Sequence, residues 1–250
     1  MLVQICSDLH LELAQNRNWI LENPLVPKGD ILIIAGDTFY INDQVGTLDF
    51  IKKVSDDFKA VYLIPGNHEY YGGYDVSTGL LSTRESIKSN VFLVNNCTEN
   101  IDGVHFIFST LWSKIQRNIP AVMRGMTDFR KIHYQNQQFT THHFNELHDA
   151  CFEFIKREVK KEVKKVIVTH HLPSYLCMAD EFKNSLLNDA FCVEKTDFIL
   201  NSEIDYWVYG HSHRNLKDFE IGGTKMVTNQ LGYIGYHEHT LFNVEKVLSI

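Results

Sequence analysis

The chain has 250 residues, 24 of them Lys or Arg against 31 Asp or Glu, for a net charge of −7 and a pI near 6.0, which excludes a domain-wide basic footprint for nucleic acid. Apolar residues make up 44% and charged residues 22%, which is enough to bury a sizeable core and rules against a disordered chain. Cys6, Cys97, Cys151, Cys177 and Cys192 are odd in number and scattered, with no C-x-x-C pair, so a disulfide framework and a zinc knuckle are excluded and reduced thiols of a cytoplasmic protein are expected.

The first predicted strand, residues 2–6, starts with no basic or apolar leader ahead of it. No apolar run approaches the roughly 18 residues of a membrane span, so no membrane partner is expected. A helix near 14–21 leads to a strand at 31–35, a helix near 44–56 and a strand at 60–64. A helix near 79–88 precedes strands at 91–94 and 104–109. Residues 112–141 are the least regular stretch, polar and mixed, with Trp112, Arg117, Arg124, Asp128, Arg130 and His133. A long insertion of this kind is expected to act as a lid or binding loop.

The clearest helix is 142–164, where Phe144, Leu147, Cys151, Phe154, Ile155, Val159 and Val163 recur at helical spacing. Its basic end (Lys156, Arg157, Lys160, Lys161, Lys164 and Lys165) reads as a solvated face at the negative end of the helix dipole. Strands at 166–169 and 206–209 bracket a helix near 194–202. Short strands at 216–221, 225–229 and 240–244, divided by Gly222-Gly223, Gly232 and Gly235, are expected to form an antiparallel set. The alternation of strands and helices predicts an α/β fold in a single domain over 1–250.

Polar clusters follow five of the apolar strands. Residues 2–6 run into Asp8-Leu9-His10, 31–35 into Gly36-Asp37, and 60–64 into Gly66-Asn67-His68-Glu69. The strand at 166–169 runs into His170-His171, and that at 206–209 into Gly210-His211-Ser212-His213. In open α/β sheets the carboxyl edge is where ligand crevices form. Carboxylate, imidazole and amide oxygen suit borderline divalent ions such as Mn, Fe, Zn or Co, and the lack of cysteine makes a structural zinc site a poor fit. D-x-H in extended backbone would put Asp8 and His10 on one side of the chain. Each piece alone is weak, and the set in this order, each after an apolar strand, is specific.

These motifs, D-L-H at 8–10, G-D at 36–37, G-N-H-E at 66–69, H-H at 170–171 and G-H-S-H at 210–213, resemble those of the calcineurin-like metallophosphoesterases. The resemblance implies a four-layer α/β/β/α sandwich of two mixed sheets flanked by helices, with two divalent ions at the sheet edge. By motif, Asp8, His10 and His213 would bind one ion, and Asn67, His170 and His211 the other. Asp37 would bridge them, and His171 would either line the pocket wall or stand behind the ligands. His68 would be the general acid in hydrolysis of a phosphomonoester or phosphodiester by a hydroxide held between ions about 3.5–4 Å apart.

The chain departs from the pattern in one place. No acid follows Asp37 where some protein phosphatases of the superfamily keep one to orient the catalytic His, which leaves Glu69, Asp43 or a backbone carbonyl for that task. The G-D-x-x-D-R-G signature of Ser/Thr phosphatases is also absent, which disfavours a phosphoprotein substrate. The acidic balance disfavours a nuclease, and an intact His68 disfavours a binding scaffold without turnover. A small phosphorylated substrate is expected, with Tyr70, Tyr71, Asp128, Phe129 and Arg130 as candidates to shape its pocket. His142, His143 and His148 lack acids at strand ends and read as a solvated helix start.

Overall fold

Strand β1 (Leu2–Cys6) is buried on both faces from Val3 onward, with Gln4 as its one polar residue, as suits a strand covered on two sides. In the computed structural model, which describes residues 1–41 and 45–250, it lies within a six-stranded sheet. It pairs in parallel with β2 (Ile31–Ala35), which continues to β3 (Ala60–Ile64) and then to β5 (Val91–Asn95). Antiparallel strands close the edges: β4 (Thr83–Lys88) beside β5, and β14 (Val247–Ser249) beside β1. The second six-stranded sheet repeats the plan. Parallel strands β7 (Val104–Phe108), β10 (Lys165–Val168), β11 (Tyr206–Val208) and β13 (Thr224–Val227) are flanked by antiparallel β6 (Cys97–Ile101) and β12 (Phe219–Ile221).

Three apolar interfaces join four layers. Ile33, Ile64, Phe106, Phe108 and Val168 pack between the sheets. On the outer face of the first sheet, Leu32, Ile34 and Leu63 meet Ile20 of helix α1 (Ala14–Glu22) and Ile51 and Val54 of α2 (Asp49–Asp57). On the outer face of the second, Ile107, Ile167 and Trp207 meet Phe154 and Ile155 of α5 (Thr141–Glu158) and Ile199 of α6 (Thr196–Leu200). This is the α/β/β/α sandwich of two mixed sheets expected above. Residues 112–141 hold α3 (Ile119–Gly125), α4 (Asp128–Lys131) and a ribbon of β8 (His133–Tyr134) with β9 (Gln137–Gln138). They bury Trp112, Val122, Phe129 and Phe139 against Phe144 and Leu147 of α5.

Several predicted elements differ. The helix expected near 79–88 is instead a 3-10 turn, Val76–Leu80, followed by β4. In Thr-Arg-Glu-Ser-Ile-Lys a polar outer face belongs to a sheet edge, where Arg84 reaches Glu99 and lies 4.1 Å over the Phe92 ring. Strand β6 had no forecast. It is polar on one side and joined to β7 by Asp102-Gly103, both at positive φ, a hairpin signal that was present in the sequence. The strand expected at 240–244 is a 3-10 turn, Glu238–Leu241, and the final strand is β14. The long helix ends at Glu158, and Val163, counted as core by its spacing, is 43% exposed. The start of the helix expected at 44–56 falls outside the described residues, and α2 itself begins at Asp49 after a 3-10 turn, Val45–Thr47.

Candidate metal centre

The carboxyl ends of β1, β2 and β3 in one sheet and of β10 and β11 in the other open on the same side, and their loops interlock. Asp8 N–H donates to Gly36 O at 2.9 Å, His10 N–H to Asp37 O at 2.9 Å, and Gly210 N–H to His170 O at 3.0 Å. His211 N–H donates to both oxygens of Asp8, at 3.0 and 3.1 Å. Asp8, His10, Asp37, His211 and His213 all have positive φ, between 47° and 73°. Left-handed backbone costs a non-glycine residue about 1–2 kcal/mol, so five such residues in one place mark a strained functional site. The geometry also corrects the D-x-H reading, since Asp8 and His10 reach one centre through left-handed turns and not by alternation along extended backbone. Gly66 has no room for a side chain, because a Cβ there would stand 2.2 Å from Asp37 Oδ1 and 2.6 Å from His170 Nε2.

Two groups of donors, each with its atoms within 4.8 Å of one another, share Asp37: Asp8, His10, Asp37 and His213, and Asp37, His170 and His211. His10 Nε2 lies 2.9 Å from His213 Nε2, and His170 Nε2 lies 3.0 Å from His211 Nδ1. Carboxylates stand close by, with Asp8 Oδ1 3.4 Å from His213 Nε2 and Asp37 Oδ2 3.4 Å from His170 Nε2. Asn67 Oδ1 reaches to 3.3 Å from His170 Nε2. Each imidazole engages its other nitrogen elsewhere: His10 Nδ1 on Glu12 at 3.0 Å, His213 Nδ1 on Glu238 at 2.8 Å, His170 Nδ1 on Ala35 O at 2.8 Å and His211 Nε2 on Ala190 O at 3.3 Å. That arrangement fixes the tautomers so that four lone pairs converge, as in protein sites that hold borderline divalent cations. The residues present therefore fit two such ions.

Burial lowers the pKa of His10 and takes His211 well below the usual imidazole value. Burial acts the same way on His213 and His170, but the carboxylates beside them outweigh it. Asp8 and Glu238 push His213 up to about 10, and Asp37 pushes His170 up to about 9. A cation takes the place of those protons when such ligands load.

His68 stands beside these groups with its lone pairs turned elsewhere. Its Nδ1 is 2.8 Å from Glu12 Oε1, its Nε2 is 3.2 Å from the Tyr233 hydroxyl, and its N–H donates to Asp37 Oδ1 at 2.9 Å. Glu12 thus fills the orienting place that the sequence left open. Glu69 does not, because its carboxylate is fully used by the N–H groups of Asp37 at 3.0 Å, Thr38 at 2.7 Å and Gly66 at 2.7 Å, tying the second loop to the third. Asp43 lies outside the described residues. Asp128, from the insertion, accepts from Asn67 Nδ2 at 2.8 Å and from the Tyr71 hydroxyl at 2.5 Å, and so turns the Asn67 oxygen toward His170.

Sequence reasoning missed Glu12, Glu238 and Tyr233. Only Glu12 had a signal, two residues beyond His10. Among the pocket candidates, Tyr71 and Asp128 are at the site. Tyr70 and Phe129 are core, and Arg130 is spent on Arg124 O and Thr127 Oγ1. His171 is buried against Trp112 and His211, with no hydrogen-bond partner on either nitrogen among the described residues. His143 stacks on Tyr134 at 4.1 Å, and His148 is buried under Trp112, where a solvated position was expected. No helix among the described residues is long and apolar enough to cross a membrane.

Comparisons with known proteins bear on the family and the fold. The sequence profile of the family described as calcineurin-like phosphoesterase matches residues 1–215. An uncharacterised protein of Acanthamoeba polyphaga mimivirus, L509, is 30% identical over 271 aligned positions that cover 97% of this chain and 94% of the viral one. The crystal structure of phosphopantetheinyl hydrolase from Mycobacterium tuberculosis matches with a TM-score of 0.73 over 98% of this chain and 95% of that one. At 15% identity that likeness shows the shared fold.

Proposed function

From the premise that the chain belongs to the calcineurin-like phosphoesterase family and is a metallophosphoesterase, we propose that it hydrolyses a small phosphorylated substrate at two divalent ions, with His68 as general acid. Asp8, His10 and His213 would hold one ion, Asn67, His170 and His211 the other, and Asp37 both. The donor chemistry suits Mn, Fe, Zn or Co. The observation that carries the reading is the pair of donor groups sharing Asp37, with the remaining nitrogen of every imidazole already engaged. When bound, such a pair supplies a hydroxide near neutral pH and offsets charge on the phosphoryl group.

The chain's own part is positional. Glu12 holds His68 Nδ1, so the transferable proton sits on Nε2, beside the Tyr233 hydroxyl, and passes to the departing ester oxygen. Asp37 holds the His68 backbone and thereby keeps the acid in register with the ligand cluster. The five cysteines are all free, which suits the reducing cytoplasm we assign to the protein.

Metal analysis of the purified protein, with turnover of an aryl phosphate, a bis-aryl phosphodiester, a cyclic nucleotide and a phosphopeptide, tests the reading. Two bound ions and turnover of a small ester are expected. Bound metal without turnover of any ester would mean a scaffold, and turnover of the phosphopeptide alone would mean a protein phosphatase.

A further inference from the structure

Two clefts meet at His68. The floor of the first, of about 390 Å³, is made by Asp37, Asn67, His211 and His213. Its outer part is apolar, with Met126 on one side and Met178, Phe182, Leu187 and Phe191 on the other. The second, of about 600 Å³, runs over Leu13, Tyr40 and Tyr236, and Glu12 and Lys131 also line it. His68, Tyr71, Thr127 and Tyr233 line both and form the wall between them.

The first cleft is built and not incidental. A Cβ on Gly125 would lie 2.8 Å from Leu187 Cδ2, so the end of α3 and the 178–191 segment touch and roof the cleft. Asp189 ties that segment to Arg117, accepting from its backbone N–H at 2.7 Å and from its guanidinium at 2.8 Å. Asn188 Nδ2 donates to Phe182 O at 2.9 Å and fixes the loop from within.

Its charge is as telling as its shape. Among the described residues that line the first cleft there is no lysine or arginine. Arg214, nearby, is bound to Glu181 and Glu238. A second phosphate or a carboxylate in the outer part of the cleft, away from the ion site, would therefore meet no lysine or arginine, and desolvating an unpaired anion against Met and Phe side chains is costly. An uncharged apolar group gains by burial in the same place.

A monoester has one organic arm, whereas a diester has two and a single negative charge. Resting on the reading of the site as a phosphoester hydrolase, we propose that the substrate is a phosphodiester. An uncharged, mainly apolar arm lies in the first cleft, and the other arm lies along the aromatic second cleft. Water adds across one ester bond. Its oxygen bonds to phosphorus and gives up one proton to solvent, the P–O bond to one arm breaks, and the released oxygen takes the proton of His68 Nε2, which solvent then restores, giving a monoester and an alcohol.

The test compares manganese-loaded protein on p-nitrophenyl phosphate and on a series of p-nitrophenyl alkyl phosphates from methyl to hexyl. The diesters should exceed the monoester in kcat/KM by about tenfold or more, a difference of about 1.4 kcal/mol in transition-state binding. Each added methylene should raise kcat/KM by about fourfold, the gain expected from burying one CH₂. Leu187→Ala should shrink that increment. Leu187→Glu should invert the preference toward a chain ending in trimethylammonium. Each variant is checked for folding by its melting curve, and either alone decides the point. A preference for the monoester, or an increment unchanged in a folded variant, overturns the diester assignment while hydrolysis stands. Failure of the metal-loaded protein to turn over any ester overturns the hydrolase reading itself, and this proposal with it.

Discussion

Glu12 Oε1 receives two imidazoles at once, His68 Nδ1 at 2.8 Å and His10 Nδ1 at 3.0 Å. One carboxylate therefore sets the tautomer of the proposed acid and of a proposed metal ligand. The rings of His10 and His68 lie edge to face with centroids 4.4 Å apart, so neither can rotate without disturbing the other.

Glu12→Gln keeps the shape and removes the charge. Loss of a carboxylate behind a ligating histidine typically costs about 10- to 100-fold in metal affinity or activity. Because Glu12 also serves the acid, the loss in kcat should be larger for an alkyl leaving group, which needs a proton, than for p-nitrophenolate, which does not. Equal losses on both leaving groups, measured at saturating metal, would show that Glu12 acts on the metal site alone.

His68→Ala should retain both ions by metal analysis and lose about 10²- to 10⁴-fold in turnover of an alkyl-leaving ester, the usual contribution of a positioned general acid. Full-rate hydrolysis of that ester by the variant would remove His68 from the mechanism. Asp37→Asn is the contrast, since it should lose metal and activity together; stoichiometric metal in that variant would count against a bridging Asp37.

Asp128→Ala removes the partner of Asn67 Nδ2 and of the Tyr71 hydroxyl, both part of a site that is largely buried. An unsatisfied buried donor costs about 1–3 kcal/mol, and a freed Asn67 amide loses its fixed orientation. Metal titration should show affinity down by about 10-fold or more, with a lower melting temperature in the metal-free protein. Tyr71→Phe removes one of the two bonds and should have the smaller effect on metal affinity. The reverse order would mean that Tyr71, and not Asp128, positions Asn67.

The sequence made some of this legible and hid the rest for identifiable reasons. Ile31–Ala35 and Ala60–Ile64 are covered on both faces, and Leu2–Cys6 is covered from Val3 onward, so apolar runs, broken only by Gln4, mark them, and the polar residues just past their ends stand out. Thr83–Lys88 and Cys97–Ile101 sit at sheet edges, where one face is wet and the apolar signal halves. Glu238 reaches His213 through a turn at Gly232, whose φ is +69°, and nothing local in the sequence announces that meeting. Asp128 meets Asn67 across 61 positions of chain, so only the fold could pair them.

The acid limb of stability should carry the signature of a histidine outside the metal centre. His148, on α5, is buried at 1% exposure, and its Nδ1–H donates to the Trp112 carbonyl. Burial is the main cause that brings its pKa down to about 4, from 6.5 in the exposed state, with Lys195 adding to the shift and the Trp112 carbonyl opposing it. The folded state prefers the neutral ring, so the unfolded chain binds the extra proton. Stability is therefore full above about pH 6.5 and declines as pH falls through that value toward 4, by at most about 3 kcal/mol for the whole shift. His148→Asn can keep a donor to Trp112 O and cannot titrate. It lowers stability at neutral pH through lost packing, but its stability should fall less steeply between pH 6.5 and 4. Urea midpoints of the two proteins, both with chelator so that the metal-site histidines titrate alike, give the comparison. Parallel pH profiles would show that His148 takes no part in acid unfolding, whereas a gap that closes toward pH 4 would identify it as one of the groups whose protonation drives that unfolding.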